Sequence, residues 1–401
     1  MSEREDAPAV AGEGVQRVRL RAVPLPPVSP AGLANITLGV RKKRSTQSVS
    51  NRLRKHAAAE LAAAWDGTTP FEKTLLLLLA EHKTLSAPQI KAFFALPAKQ
   101  PRTACEGLLA SLEERYGTEL PPDRVFTAKS QEQVYTKAEK LKRKGLVASV
   151  HNATNNLIID KALAPSLLSV HYFLTEMGAQ TVATVTGTPL SFVANYETYA
   201  FDSLLHLSEV NDFFVSSIAA AQDLMNNHPD EAGILDVTSW LHESRTEHQF
   251  EIYAGRTIKF RSDGMMTLFS SLREDFTDFY LEHDTGRMPA EKIRTKTAAY
   301  LHFVLYRKAA QMAGGEPFRR PVLLFVTTSE TRVALYRENI ARAVAEGFPQ
   351  RLDYANAFGR IAVASAEDLK GHSPLGEAWR VMDLGTGRLS KERFNLLTIS
   401  W

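Results

Sequence analysis

The run Pro321–Thr328, PVLLFVTT, constrains this chain more than any other stretch. It is continuously apolar, without the alternation of a half-exposed strand, so it reads as a strand buried on both faces. A strand of that kind needs helices over each face of its sheet. Helical stretches flank it on both sides, Pro289 to Met312 before it and Ser329 to Gly347 after it, with Ser329 placed to cap the second. Strand-like runs precede them at Phe250–Tyr253, Thr257–Phe260, Met265–Phe269 and Phe276–Glu282, and another follows at Ile361–Leu369. Upstream, His206–Asn227 reads as a short extended piece entering a helix, and Ile234–Phe250 as a second helical stretch running into a strand. This order predicts a mixed sheet flanked by helices, an α/β arrangement that is α+β over the whole chain.

A chain of 401 residues is long enough for two or three domains. Its single cysteine, Cys105, excludes an internal disulfide framework and a cysteine-rich zinc site, and fits a reducing cytoplasm. The start of the chain lacks an apolar signal segment, and its longest apolar run, Leu75–Ala80, is too short to span a bilayer, so no membrane partner is expected. Net charge is only +3, but it is unevenly spread: Val15–His56 holds ten Lys or Arg and no acid, including Arg41, Lys42, Lys43 and Arg44. Interleaved with Pro, Ser and Ala, this block reads as a basic arm, residues 1–60, suited to lying along phosphates. A solvated tail that aids solubility is the plainer alternative.

Residues 61–195 read as a separate unit. Thr69–Phe94 has the pattern helix, turn, helix, with Ser86 as cap and Pro88 in a first turn. A looser segment continues to Lys129. Ser130 and Gln133 then open a helix with an apolar face of Val134, Ala138, Leu141 and Leu146, and Gly145 is placed to end it. Lys137, Lys140, Arg143 and Lys144 populate its other surfaces. Two strand-like runs follow, the second closing onto a helix at His171–Gln180. This is the layout of a winged helix-turn-helix, whose basic helix fits a major groove while the hairpin touches the backbone. Residues 181–200 read as a connector, leaving 196–401 as the sheet domain.

Acids gather at the mouths of two of the predicted strands: Asp263 in Arg261–Met266, and Glu282 and Asp284 at the end of Phe279–Asp284. Acids on neighbouring strands can converge on Mg²⁺ or Mn²⁺, a hard ion that takes one or two carboxylates beside a substrate phosphate. Glu282 and Asp284, two residues apart, face the same side of one strand. Lys296, or Lys292 one turn earlier, can lean back to supply a cation, and Glu243 can add a further oxygen. His283 faces the other way. The competing account is that Asp263-Gly264 and Asp284-Thr285-Gly286 are simply turns.

The ordered set Leu141–Gly178, HLSEVND (His206–Asp212), WLHES (Trp240–Ser244), RSDGMM (Arg261–Met266), FYLEHDTGRMPAEKIRTKTAAY (Phe279–Tyr300), PVLLFVTTSETR and SPLGEAWR (Ser373–Arg380) resembles the replication-relaxation proteins of plasmids and integrative elements, over about residues 70–380. The resemblance implies plasmid replication or mobilisation and relaxation of supercoiled DNA. The strand-and-acid pattern is also similar to the PD-(D/E)xK nucleases, a restriction-endonuclease-like fold. On that match Glu243, Asp263 and Glu282 are metal-side acids and Lys296 is a displaced lysine, while Ser262 stands for the proline and Asp284 for the usual lysine. Two functions follow as expectations. One is a Mg²⁺-dependent endonuclease or nickase acting on double-stranded DNA at an origin of transfer or replication. The other is a non-catalytic DNA-binding accessory or regulator that works with a relaxase or replication protein. A homodimer is compatible with either.

Overall fold

The computed structural model describes residues 56–94, 104–126, 130–151, 170–190, 201–251, 256–313, 319, 321–347 and 359–399. The basic arm up to Lys55, with Arg41, Lys42, Lys43 and Arg44, lies outside these residues, as do residues 191–200 of the expected connector.

The N-terminal half contains α1 (Ala58–Asp66), α2 (Pro70–His82), β1 (Leu85–Ser86), α3 (Ala87–Phe94), α4 (Glu106–Tyr116), α5 (Gln131–Arg143), β2 (Val147–His151), β3 (Val170–Leu174) and α6 (Glu176–Thr186). Local chemistry sets the helix starts. Thr69 caps α2 reciprocally with Glu72, and Pro70 follows where a missing N–H costs nothing. Gln89 N–H donates to Ser86 Oγ at 3.3 Å while Ser86 N–H donates to Gln89 Oε1 at 2.7 Å, opening α3 in the same way. Ser130 accepts from Gln133 N–H at the start of α5, and Gly145, at φ 72°, follows its end. The expected apolar face of α5, Val134, Ala138, Leu141 and Leu146, is fully buried. The three strands form an antiparallel sheet in the order β1-β3-β2. The segment expected to be loose contains α4, whose Leu108, Leu109, Leu112 and Tyr116 are buried; Gly107 in its first turn and Gly117 at its end blunt its helical signal.

The C-terminal half follows as α7 (Phe201–Asn227), β4 (Leu235–His242), β5 (His248–Glu251), β6 (Thr257–Phe260), β7 (Gly264–Ser270), β8 (Asp275–His283), α8 (Ala290–Met312), β9 (Pro321–Thr327), α9 (Glu330–Gly347), β10 (Arg360–Ser365), β11 (Arg380–Asp383) and β12 (Arg388–Leu389). Seven strands make one mixed sheet in the order β12-β11-β10-β9-β8-β7-β4, with β8, β9 and β10 parallel to one another and the other pairings antiparallel. β5 and β6 form a separate ribbon.

Two expectations are corrected. His206–Asp212 is not extended; it lies within the continuous helix α7. Ile234–His242 is not helical; from Leu235 it is the edge strand β4. A bulge between Val237 and Ser239 shifts the alternation, so Leu235 and Val237 share a face with Trp240. Apolar residues then recur at Ile234, Val237 and Leu241, spacings of three and four that mimic a helix.

β9 shows why both faces are covered. Val322, Leu324 and Val326 join the core under α7 and the N-terminal helices, while Leu323 and Phe325 join the core under α8 and α9. The first of these cores extends from Leu75 and Leu78 of α2 through Phe214 of α7 to Trp240 of β4, so both halves contribute to one buried cluster. His82 stacks on Trp240 at 3.6 Å, Asn211 donates to the Thr84 carbonyl at 2.7 Å, and Val237 N–H donates to the Ala104 carbonyl at 2.8 Å. No described helix is long and apolar enough to cross a membrane.

Gly264 opens β7 beneath Phe214, whose ring would lie 2.6 Å from an added Cβ. Gly264→Ala should therefore destabilise the protein by about 1–3 kcal/mol, an overpacking cost, and lower its thermal midpoint. An unchanged midpoint would show that the Phe214 ring can give way.

Candidate functional site

The mouth of the sheet is assembled from three elements. Antiparallel pairing sets Gly264 opposite Leu281, which makes Asp263 and Glu282 cross-strand neighbours. The backbone ties them: Asp263 N–H donates to the Leu281 carbonyl at 2.9 Å, and His283 N–H donates to Asp263 Oδ2 at 2.8 Å. α8 lies over the face that Glu282 shares with Tyr280, and its Lys296 ammonium pairs with Glu282 Oε2. α7 lies over the other face, where Glu209 Oε2 stands 3.5 Å from His283 Nδ1, and its His206 Nε2 reaches Asp263 Oδ1 at the sheet mouth, 3.5 Å away.

Electrostatics separate the two acids. Burial works to raise Asp263, but the His206 hydrogen bond, the Lys296 charge and the His283 amide outweigh it, and Asp263 is held well below the usual carboxylate range. Burial and the negative charge of Asp263 push Glu282 well above its ordinary value, with Lys296 opposing. Glu282 is fully buried, and its Oε1 has no hydrogen-bond partner. His206 is raised: burial opposes its charge, but Asp263, Glu243 and Glu209 together favour it. Glu209 is pushed up to about 7, by burial first and by Asp212, against the pull of His206.

Of the residues singled out from the sequence, Asp263, Glu282 and Lys296 come together. Asp284 faces the same side as Glu282 but is bound elsewhere. Its Oδ1 accepts from the Gly286, Arg287 and Met288 amides, each at 2.9 Å, and its Oδ2 accepts from Arg332 and from Tyr336 Oη. It closes the turn into α8 and docks α9. Glu243, expected on a helix, sits in a 3-10 turn at the end of β4, paired with Arg261 at 2.8 Å. Tyr300 is structural, since its buried hydroxyl lies within hydrogen-bonding distance of the carbonyls of Pro321 and Arg360, at 2.8 and 2.9 Å, and accepts from Arg360 N–H at 3.2 Å. His206 and Glu209 are the residues that reading the acids alone passed over. Their i, i+3 spacing, visible once the segment is helical, puts both on one face.

A hard divalent ion needs only one or two protein carboxylates when phosphate and water complete its shell. Asp263 and the orphaned Oε1 of Glu282 fit that requirement; the three-acid set with Asp284 does not, because Asp284's oxygens are taken. Among the described residues no group of three or more His, Cys, Asp or Glu side chains is arranged to hold a metal ion.

On α5 the lysines are partly engaged. Lys140 and Lys144 stand 3.1 and 3.5 Å from the buried Glu72, and Lys137 lies over the Phe71 ring at 4.0 Å. Lys142 and Arg143 are exposed.

Residues 123–317 match the sequence model of the replication-relaxation family, from the N-terminal side of α5 to just beyond α8. The match supports that family and spans the acids at the sheet mouth. No curated protein and no solved structure matches the chain.

Two outcomes test this geometry. Asp284→Asn should cost about 3–5 kcal/mol in denaturant unfolding, because Arg332 is left without its buried counter-charge; a loss under ~1 kcal/mol would return Asp284 to the pool of available ligands. For Glu209, a folded value near 7 lies above the unfolded value of about 4.3. A raised acid favours the folded state only while protonated, so its penalty grows as pH rises from about 4.3 to 7 and then levels off. Glu209→Gln should thus be more stable than wild type at pH 8 by on the order of 2 kcal/mol, with the gap closing below pH 4.

Proposed function

We propose that this protein binds double-stranded DNA of a plasmid or mobile element and nicks or relaxes it at a divalent-metal site formed by Asp263 and Glu282. The family match, with its emphasis on replication and relaxation, supports the DNA substrate. The order helix, three antiparallel strands, helix, parallel strand supports a PD-(D/E)xK-like nuclease fold. The helices and three-stranded sheet of residues 70–174 support a winged helix that delivers the duplex. One observation carries the reading: two acids with opposite pKa shifts are fixed side by side at a strand mouth, with Lys296 on one of them.

In this scheme Asp263 and Glu282 would hold Mg²⁺ or Mn²⁺, which would supply positive charge at the scissile phosphate and acidify the attacking water. The remaining roles belong to the chain. His206 and the His283 amide fix the Asp263 carboxylate in one orientation. Lys296 opposes the tendency of Glu282 to take up a proton, and its ammonium is the cation nearest the developing charge. The exposed Lys142 and Arg143 meet phosphates, while Lys140 and Lys144 act through their pairing with Glu72. The second reading, a non-catalytic accessory to a relaxase or replication protein, draws on Asp284, which occupies the usual lysine position and serves the fold instead.

Incubating supercoiled plasmid with Mg²⁺ or Mn²⁺ separates the two. Wild type should yield nicked circles, and Asp263→Ala, Glu282→Ala and Lys296→Ala should each reduce the rate by about 10²-fold or more. Equal rates in all four proteins, or none in wild type, would leave the accessory role. Binding has its own test: Lys142→Ala with Arg143→Ala should weaken duplex affinity uniformly across sequences and reduce the salt slope by about 2, and an unchanged slope would remove α5 from the interface.

A further inference from the structure

A cleft of about 540 Å³ opens on the sheet face that carries Glu282. It lies between β4, β7, β8 and the second half of α8. Asp278 and Tyr280 of β8 line it, and Glu282 is the next residue on that side of the strand, roughly 7 Å further along. Met265 and Thr267 line it from β7, and Asp263 is the next same-side position there. Along both strands the cleft thus lies on the side of the sheet that carries the two acids, one same-side position away from each.

Its chemistry is specific. Tyr306 and His248 are the partly exposed rings that line it, each backed on one side by another ring: Tyr306 by Phe250 at 5.0 Å and His248 by the buried Phe303 at 4.5 Å between ring centres. His248 Nε2 is buried and without a hydrogen-bond partner. Arg245, Arg307 and Arg319 also line the cleft, against one acid, Asp278, which pairs with Arg307 at 3.1 Å. Arg245 reaches Glu81 at 3.6 Å, and Arg319 is exposed and stands over the Phe276 ring at 4.6 Å. Rings in a cleft with excess guanidinium charge suit a flat heterocycle carrying a phosphate. The volume falls in the range of small-ligand sites, about 300–1,000 Å³.

We infer that this cleft receives one unpaired nucleotide of a DNA strand, its base against Tyr306 and His248 and its phosphate on the arginines, and so sets the strand whose backbone runs to Asp263 and Glu282. The inference rests on the DNA-processing reading of that site and deepens it. A base can enter only when unpaired, so the protein would take a melted or extruded strand rather than an intact duplex at this point.

The test uses the full chain and a single-stranded oligonucleotide of about ten residues carrying 5-iododeoxyuridine. Irradiation should crosslink it to Tyr306 or His248; adducts confined to residues outside the cleft would overturn the assignment. Ala310→Trp, which fills the cleft from α8, and Arg319→Ala, on an exposed side chain, should each weaken binding of the oligonucleotide about 10-fold and leave duplex binding unchanged. Wild-type affinity in both variants would also overturn it. The two readings fail separately. A protein that crosslinks through the cleft but never nicks supports the cleft and removes the nuclease. One that nicks with the cleft filled and the oligonucleotide affinity intact supports the nuclease and removes the cleft.

Discussion

Covering both faces of β9 is the constraint on which the rest of this structure depends. Its seven residues are all buried, and successive side chains enter different cores. One core must be supplied by α8 and α9, the other by α7 and the N-terminal helices. Each face of the neighbouring strand β8 is thereby assigned a helix, and the acid and imidazole at its end each meet a side chain from a different layer. Glu282 meets Lys296 from one side; His283 meets Glu209 from the other. Asp263, at the mouth of β7, is held by a helix on one layer and by the backbone of β8.

This arrangement explains how neighbouring carboxylates acquire different roles. Asp263 and Glu282 are both largely buried, so burial alone would push each of these two upward. Asp263 collects enough donors and positive charge to stay ionised. Glu282 has one lysine and the repulsion of Asp263, and keeps an oxygen without a partner. Asp284 has its hydrogen-bonding capacity filled by three amides, a guanidinium and a phenol. The saturated acid serves as a fastening for α8 and α9.

The N-terminal helices are coupled to this site through packing. His82 on Trp240, Asn211 on Thr84 and Arg245 between Glu81 and the arginine-lined cleft all cross from one half to the other. The two halves are thus joined by shared buried packing as well as by the chain between them.

Period and local capping were legible in the sequence. The run PVLLFVTT announces a two-sided sheet. The Ser86 and Ser130 caps announce their helices, because each rests on a few adjacent residues. The bulge in β4 was not legible, since it imposes a helical spacing on a strand, nor was α4 with its two glycines. That Asp263, Glu282 and Lys296 would lie near one another was legible in sequence order, as strand parity and helix phase are local properties. The diversion of Asp284 to Arg332 and Tyr336, and the arrival of His206 and Glu209, were decided by tertiary structure alone. A carboxylate binds whichever donors packing brings to it, and those donors lie 48, 52 and more residues away along the chain.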